Sequence, residues 1–420
     1  MKKSFGALVL TLGVLVATAC RKDPPTPPAV VDAGAQATVT DPVAPLANAA
    51  HGKELVLTFQ CNRCHDGTGH PAAESGKHCV HCHEDIIEGR FKAKDDVIAR
   101  WVPRVKDLQF APSLTSTDKR LSRAFIEDYL LQPSPHFRPG LIQSMPRLAL
   151  SVSDARDIAA YLHPDPDPPQ KDAPAGDLDL GRKVVDGKGC GSCHTMTGVS
   201  PLVASPIPVN VSPKDFAKAK VLAPDLRFTR NRTTAASVSA WLKSPKAMKS
   251  DSVMPDIPLT DAEIAAATAY IMKADLAPLA PKPVPARLPV LTRRVTYEEV
   301  DKKVFHRTCW HCHSEPDFNI GDGGPGNSGG LGFKPRGLNL VSYEGMTAGM
   351  LDEKGERTSV FAKEKDDTPI MVRALINRYS EEAGGPTGEH RGMPLGYPAL
   401  SLEEIQLVES WIAQGRPRGT

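Results

Sequence analysis

The sequence has few of the residues that build a large protein core or a strongly charged surface. Of its 420 residues 5% are aromatic and 40% are hydrophobic, and the formal net charge is only +2. A charge this close to zero gives no electrostatic reason to bind nucleic acid, so we expect no nucleic-acid partner. The glycine-rich run at 321–332 lacks the Lys-Ser/Thr pair of a phosphate-binding loop, which leaves a surface loop.

Spare cysteines are also missing. The chain has nine Cys, and eight of them stand in four copies of the pattern Cys-x-x-Cys-His. The ninth is Cys20, so no pair remains for a structural disulfide, and a disulfide-stabilised secreted fold is excluded. The copies use Cys61 and Cys64, Cys79 and Cys82, Cys190 and Cys193, and Cys309 and Cys312, and they end in His65, His83, His194 and His313.

The pattern is the attachment signature of c-type haem. Two thiols a short turn apart add to the two vinyl groups of the haem, and the adjacent His becomes the proximal ligand of the iron. The four copies therefore predict four covalently attached haems. A zinc site is the alternative at the first two copies, because fourteen residues separate Cys64 from Cys79, close to the spacing of a four-cysteine zinc site. Such a site would leave His65 and His83 without a role.

Long hydrophobic runs are missing after the N-terminus. Two lysines precede an apolar stretch at 5–16 that is too short for a membrane span and is typical of a signal peptide. Small residues at 17–19 come directly before Cys20. They fit either a plain signal-peptide cleavage site or, together with Cys20, the signal of a bacterial lipoprotein. We favour lipidation of Cys20, because plain cleavage leaves an unpaired thiol in an oxidising compartment. The residue after Cys20 is Arg21 and not the Asp that would resemble a signal for retention of a lipoprotein at the inner membrane. This difference favours the outer membrane. We therefore expect an exported bacterial lipoprotein that faces the periplasm.

Proline-rich stretches divide the chain, and we predict seven parts. These are a signal peptide at 1–20, a Pro/Ala-rich tether at 21–50, globular domains at 51–163, 176–276 and 291–420, and linkers at 164–175 and 277–290. The tether has too few apolar residues for a core and is suited to let an anchored protein reach its partners.

The globular segments repeat one order of features. Gly52 and Gly181 each stand nine residues before the first Cys of a copy, and an Ala-Pro-x-Leu pattern follows at 111–114 and 223–226. Each segment then has a Met-Pro pair and a closing helix. Thr260 with Glu263, and Ser401 with Glu404, are expected capping boxes at the starts of the last two closing helices. The apolar stripe Ile405, Val408, Trp411 and Ile412 has helical spacing and is expected to be core.

This order of features resembles the class I cytochrome c domain. The resemblance covers 51–163 and 176–276, while 291–420 resembles planctomycete-type cytochrome c domains through the residues at 337–340 and 393–395. It implies tandem all-α helical domains in which each haem has a His and a Met ligand. The implied Met ligands are Met145, Met254 and Met393, with Met248 as a competitor in the second domain and Met346, Met350 and Met371 as competitors in the third.

The second copy interrupts this repeat. His194 and Met254 are 60 positions apart, His83 and Met145 are 62 apart, and His65 and Met145 are 80 apart. An insertion of 18 residues explains the longest spacing, so we predict that the Cys79 copy is inserted and that Met145 serves the Cys61 haem. The pairing of His83 with Met145 stays open. The distal ligand of the inserted haem is also open, with His70, His78, His81 and His136 as candidates.

These features predict an exported tetrahaem cytochrome that transfers single electrons between periplasmic or envelope redox proteins and does no bond chemistry. The alternative is a haem enzyme resembling dihaem peroxidases, which needs one open-coordinate haem with an acid-base side chain above it. Glu84 and Asp85 follow His83, but nothing in the sequence marks either as catalytic. The sequence does not indicate an oligomeric state.

Overall fold

The all-α prediction is confirmed. The computed structural model describes residues 46–74, 77–133, 145–167, 175–280, 282–314, 337–352, 354–385 and 390–419. Within these ranges the only strands are β1 (Met350–Leu351) and β2 (Arg357–Thr358), which pair antiparallel, and no helix is both long and apolar enough to cross a bilayer. Cys20, most of the tether and His136 lie outside the described residues.

The first segment is built on the crossing of its first and last helices. Its described helices are α1 (Ala49–Thr58), α2 (Cys79–Ile87), α3 (Asp95–Val105), α4 (Arg123–Leu131) and α5 (Val152–Leu162). A Cβ on Gly52 of α1 would lie 1.9 Å from the Asp157 carbonyl oxygen of α5, so the two backbones approach to a distance that only glycine permits. The Asp157 carboxylate accepts hydrogen bonds from the backbone of Asn48 at 2.7 Å and the ring of His51 at 2.8 Å.

The second segment repeats this crossing. Its described helices are α6 (Leu178–Gly187), α7 (Pro213–Leu222), α8 (Thr229–Arg232), α9 (Ala235–Lys243), α10 (Pro245–Met248) and α11 (Asp261–Lys273). Gly181 of α6 meets α11, where a Cβ would lie 2.2 Å from the Ala266 carbonyl oxygen. The predicted capping box is confirmed, since Thr260 and Glu263 each bond the other's backbone N–H at the start of α11.

The third segment opens on a different helix type. α12 (Tyr297–Val300) continues as a π-helix over Asp301–Cys309, and α13 (Tyr343–Thr347), α14 (Ile370–Glu382) and α15 (Leu402–Ala413) follow. The predicted capping box of Ser401 and Glu404 is confirmed at the start of α15. The predicted core stripe of α15 is also confirmed, because Trp411 is fully buried with its ring centroid 6.0 Å from that of Phe305.

The three segments lie against one another within one compact unit that covers residues 47–420. Lys214 of α7 forms ion pairs with Glu84 at 2.8 Å and Glu88 at 3.0 Å, which lie on and directly after α2. The backbone N–H of Ser122 donates to the Arg232 carbonyl at 2.8 Å. The second segment therefore packs beside the helix that carries the second Cys-x-x-Cys-His copy.

Candidate haem-binding sites

Three of the four copies form a tight turn. The backbone N–H of the closing His donates to the carbonyl of the first Cys at 2.9 Å in the first copy, 2.8 Å in the third and 2.9 Å in the fourth. In the first and third copies the residue before the first Cys has a left-handed backbone conformation. These residues are Gln60, with φ 51°, and Gly189, with φ 78°. In the fourth copy this turn places Cys309, Cys312 and His313 around one cavity, as covalent attachment of a haem requires.

The second copy has a different local structure. It forms the first turn and a half of α2, where Cys79, Cys82 and His83 stand at helical positions i, i+3 and i+4 and so share one face. His78 caps this helix, because its Nδ1 accepts the backbone N–H of His81 at 3.2 Å. Two thiols and an imidazole again converge, but on a helix rather than on a turn after a helix.

A backbone carbonyl holds the ring of the closing His in the first three copies. The partners of Nδ1 are Pro112 for His65 at 2.7 Å, Leu108 for His83 at 2.9 Å and Pro224 for His194 at 2.8 Å. A carbonyl oxygen only accepts, so Nδ1 must carry the proton, and the Nε2 lone pair is left for a metal ion. Pro112 and Pro224 belong to the repeated Ala-Pro-x-Leu pattern, whose role sequence reasoning missed although the repeat itself was visible. The buried Nδ1 of His313 makes no hydrogen bond of good geometry, although the Leu338 backbone lies close enough to oppose the lowering of its pKa by burial.

Burial keeps these groups uncharged. It lowers the pKa of His83 and of His313 to about 4, so both rings are neutral at pH 7, which is the form that binds iron. Burial also raises the pKa of the Cys61 and Cys190 thiols to about 11 and that of Cys309 to about 12. The attachment residues thus lie in an apolar, low-dielectric setting.

The three predicted Met ligands pack with three different attachment cysteines. Met145 lies against the core cluster that Cys61 contacts, Met254 against the cluster of Cys190, and Met393 against the cluster of Cys309. In the third segment both Cys309 and Cys312, His313 and Met393 line one largely apolar cavity, and Met350 and Met371 line it as well. Two thiols, an imidazole and a thioether around an apolar space are the donor set of a class I haem pocket, so these residues fit the group.

The small core around the second copy differs, because its described members include no methionine. Cys82 packs there with Ile86, Trp101 and Val105. Met145 lies instead with the first copy, which is the arrangement that the 18-residue insertion predicts. The assignment of Met145 as an iron ligand stays a prediction.

Three of the four copies meet around one tyrosine. Burial and then the surrounding thiols raise the pKa of the Tyr397 hydroxyl; the thiols are those of Cys312, Cys79, Cys82 and Cys64. The thiols of Cys64 and Cys79 share a hydrogen bond, which raises the pKa of Cys64 and lowers that of Cys79 to about 7. The first, second and fourth copies are therefore neighbours in space. No signal in the sequence placed Tyr397 here, because it follows the last Met-Pro pair and belongs to no copy.

The histidines proposed for the inserted haem lie among other groups. His70 Nε2 bonds the Lys53 carbonyl at 2.8 Å. His78 and His81 stack face to face, with ring centroids 3.6 Å apart and planes 10° apart, and both lie beside Asp66. Ring lone pairs lie in the ring planes, so those of two stacked rings lie in two separate, nearly parallel planes and do not converge on one ion. We therefore assign no metal site to Asp66, His78 and His81.

Two other side chains lie beside His83. The Tyr397 hydroxyl is 3.3 Å from His83 Nε2, and the His311 ring centroid is 6.1 Å from that of His83. His311 occupies a variable position inside the fourth copy, between Trp310 and Cys312. Sequence reasoning did not consider it, since residues inside a copy were assigned to that copy alone.

Comparison with known proteins gives one family. Residues 178–275 match the family model described as cytochrome c, and they span α6 to α11 with the Cys190 copy and Met254. No curated protein and no solved structure matches the chain. This family binds covalently attached haem c in an all-α fold and uses it for electron transfer. The matched residues are the α6–α11 bundle with its carbonyl-held His194, so residues 178–275 are similar to a cytochrome c domain, and this match supports haem-based electron transfer.

Proposed function

We propose that the protein is a tetrahaem c-type cytochrome that passes single electrons between redox proteins of the cell envelope, and that it is exported as a lipoprotein. The observation that supports this best is the meeting of three Cys-x-x-Cys-His copies around Tyr397. Haems attached there are close neighbours, and electron tunnelling falls steeply with distance. Such a group suits rapid transfer within the chain more than storage at isolated sites.

Each haem, when bound, supplies a one-electron redox centre, and the surrounding residues set its properties. The two Cys of a copy fix the haem, and the carbonyl bond at Nδ1 orients the closing His and raises its basicity as a ligand. A Met ligand and a buried setting raise the reduction potential. The three cores that contain a Met and the core around the second copy therefore favour different potentials.

The third copy joins this group through α2. Lys214 of the second segment reaches Glu84 and Glu88, which place α7 beside the helix that carries Cys79 and Cys82. The order that this contact favours runs from the Cys190 haem to the Cys79 haem and then to the haems of Cys61 and Cys309. Exposed pairs of this kind contribute little stability, so the contact positions the segments more than it stabilises them.

The haem number is tested by the intact mass of protein made in a host that matures c-type cytochromes. We expect the mass of the mature chain plus four haems. A double Cys190→Ser, Cys193→Ser variant is the matched control and should lose one haem. Two haems together with one zinc ion would contradict the proposal at the first two copies.

The role is tested by reductive titration and by a peroxide assay of the same protein. We expect all the haem to be reduced reversibly in one-electron steps and no turnover of hydrogen peroxide. Steady peroxide turnover that is supported by a reduced partner would favour the alternative, a haem enzyme with an open coordination site.

Export and anchoring are tested at Cys20. The wild type should be found in the membrane fraction of a bacterial host, and Cys20→Ala should release it to the periplasm with its haem content unchanged. Wild-type protein that is already soluble after cell breakage would contradict lipidation. Separation of the two membranes tests the outer-membrane proposal.

A further inference from the structure

The side of His83 that is available to a metal ion faces the third segment. The Nδ1 of His83 is bonded to Leu108, so Nε2 is the nitrogen left for iron. The Tyr397 hydroxyl lies 3.3 Å from this Nε2. The ring of His311 lies with its centroid 6.1 Å from that of His83 and its plane tilted by 40°. Both neighbours come from residues more than 200 positions away in the chain.

The described methionines of the three Met-Pro pairs lie elsewhere. Met145, Met254 and Met393 pack with the cores around Cys61, Cys190 and Cys309, and the core around Cys82 is made of aliphatic and aromatic side chains. None of these three methionines therefore packs with the core around Cys82, where the second ligand of this haem would have to lie.

We propose that His311 is the second axial ligand of the haem attached to Cys79 and Cys82, an inference that rests on the four haems proposed above. Two imidazoles on opposite faces of one metal ion, with metal–nitrogen bonds of roughly 2.0–2.1 Å, have ring centroids about 6 Å apart. The rings of His83 and His311 have this separation. His311 is held on both sides by attachment cysteines of the fourth copy, so its backbone position is fixed once that copy is loaded.

Tyr397 is nearer to Nε2 but is less suited to be the ligand. Tyrosine binds iron as the phenolate, which would place a negative charge in a pocket surrounded by four thiols and by apolar side chains. An imidazole binds in its neutral form and carries no such cost. Tyr397 instead lies beside His83 Nε2, with its hydroxyl 3.3 Å away, and lines the cavity of the third segment.

Ligation by His311 would connect two haems through very few bonds. His311 lies two residues after Cys309 and directly before Cys312, which hold the haem of the third segment. The iron of the second copy would thus be bound by a residue from the attachment turn of the fourth. It would also have His/His ligation, which lowers the potential relative to the His/Met sites.

The inference is tested with His311→Ala in the full holo-protein. The ferric spectrum and electron paramagnetic resonance should show that one haem in four has become high-spin, and carbon monoxide should bind that haem when it is reduced. Added imidazole should restore the low-spin signal, which a general loss of folding would not allow. The matched control is His306→Ala, which removes an imidazole from the same segment that stacks on Trp310 at 3.8 Å; it should keep the wild-type spectrum.

His311→Met is the second variant and decides the result if the alanine variant does not accumulate. It should retain four haems, add one thioether–iron band in the near infrared, and raise the lowest of the four potentials. A His311→Met spectrum identical to wild type would overturn the inference. A high-spin signal in Tyr397→Phe, with His311→Ala unchanged, would also overturn it and assign the site to Tyr397.

Failure of this inference and failure of the proposed function are distinguishable. An intact mass that shows fewer than four haems in the wild type removes the proposed function and the inference together. Four haems with no spectral change at His311 remove only the inference.

Discussion

Replacing Gly181 by Ala tests the helix crossing of the cytochrome c domain. A Cβ at this position would lie 2.2 Å from the Ala266 carbonyl oxygen and 2.6 Å from Cβ of Tyr270, where ordinary contacts are 3.4–4 Å. A backbone oxygen cannot rotate away as a flexible side chain can. α6 and α11 must therefore separate by about 1 Å, which loosens the packing along the whole crossing.

The expected cost follows from two opposing effects. Overpacking of a core costs about 1–3 kcal/mol, and a clash with backbone belongs at the upper end. Alanine favours a helix over glycine by up to about 1 kcal/mol. The expected net loss of local stability in Gly181→Ala is therefore about 2 kcal/mol, which corresponds to roughly a 30-fold change in an equilibrium constant.

Hydrogen exchange of the holo-protein, read by mass spectrometry, measures this locally. Exchange in peptides from α6 and α11 should be about 30-fold faster in Gly181→Ala, while α1 and α5 keep the wild-type rate. Gly187→Ala is the matched control, because it lies on the same helix and a Cβ there meets nothing within 4 Å. It should slow exchange slightly or leave it unchanged. Equal exchange in the two variants would refute the close-approach argument.

Three further predictions concern single residues. The indole N–H of Trp241 donates a hydrogen bond to the Met254 sulfur at 2.9 Å. Without this bond, in Trp241→Phe, the sulfur should give more electron density to the iron and lower the reduction potential of the Cys190 haem, which a potentiometric titration would show. Met393→Ala should open the haem of the third segment to carbon monoxide and weaken the near-infrared thioether band; an unchanged spectrum would assign another methionine of the cavity. Hydrogen bonds from Arg293, and after it from a neighbouring lysine, lower the pKa of Glu299 from 4.5 to about 2. The stabilisation by Glu299 is therefore complete above about pH 4.5 and lost as the pH falls toward 2. The thermal stability of Glu299→Gln should fall below wild type by about 1 kcal/mol near neutral pH and converge with it in acid; a constant difference at all pH values would contradict the assignment.

The sequence by itself determined the features that depend on neighbouring residues. Attachment of a haem needs two thiols and an imidazole within five positions, so each copy could be recognised without a fold. The starts of α11 and α15 were predicted correctly because a capping box is a bond between residues three positions apart. The all-α class followed from the repeated order of these local features and from the resemblance that they carry.

Only the tertiary structure decided which residues border each site. The bonds from His65 to Pro112 and from His194 to Pro224 close loops of 47 and 30 positions. The meeting of His83 with Tyr397 and His311 joins residues more than 200 positions apart. A local pattern records what each residue can donate or bind, but such contacts depend on how whole segments pack. That packing is a sum of many weak apolar contacts with no short sequence signature. This is why the sequence could predict only the first ligand of the proposed inserted haem, and why the proposal of its second ligand needed the fold.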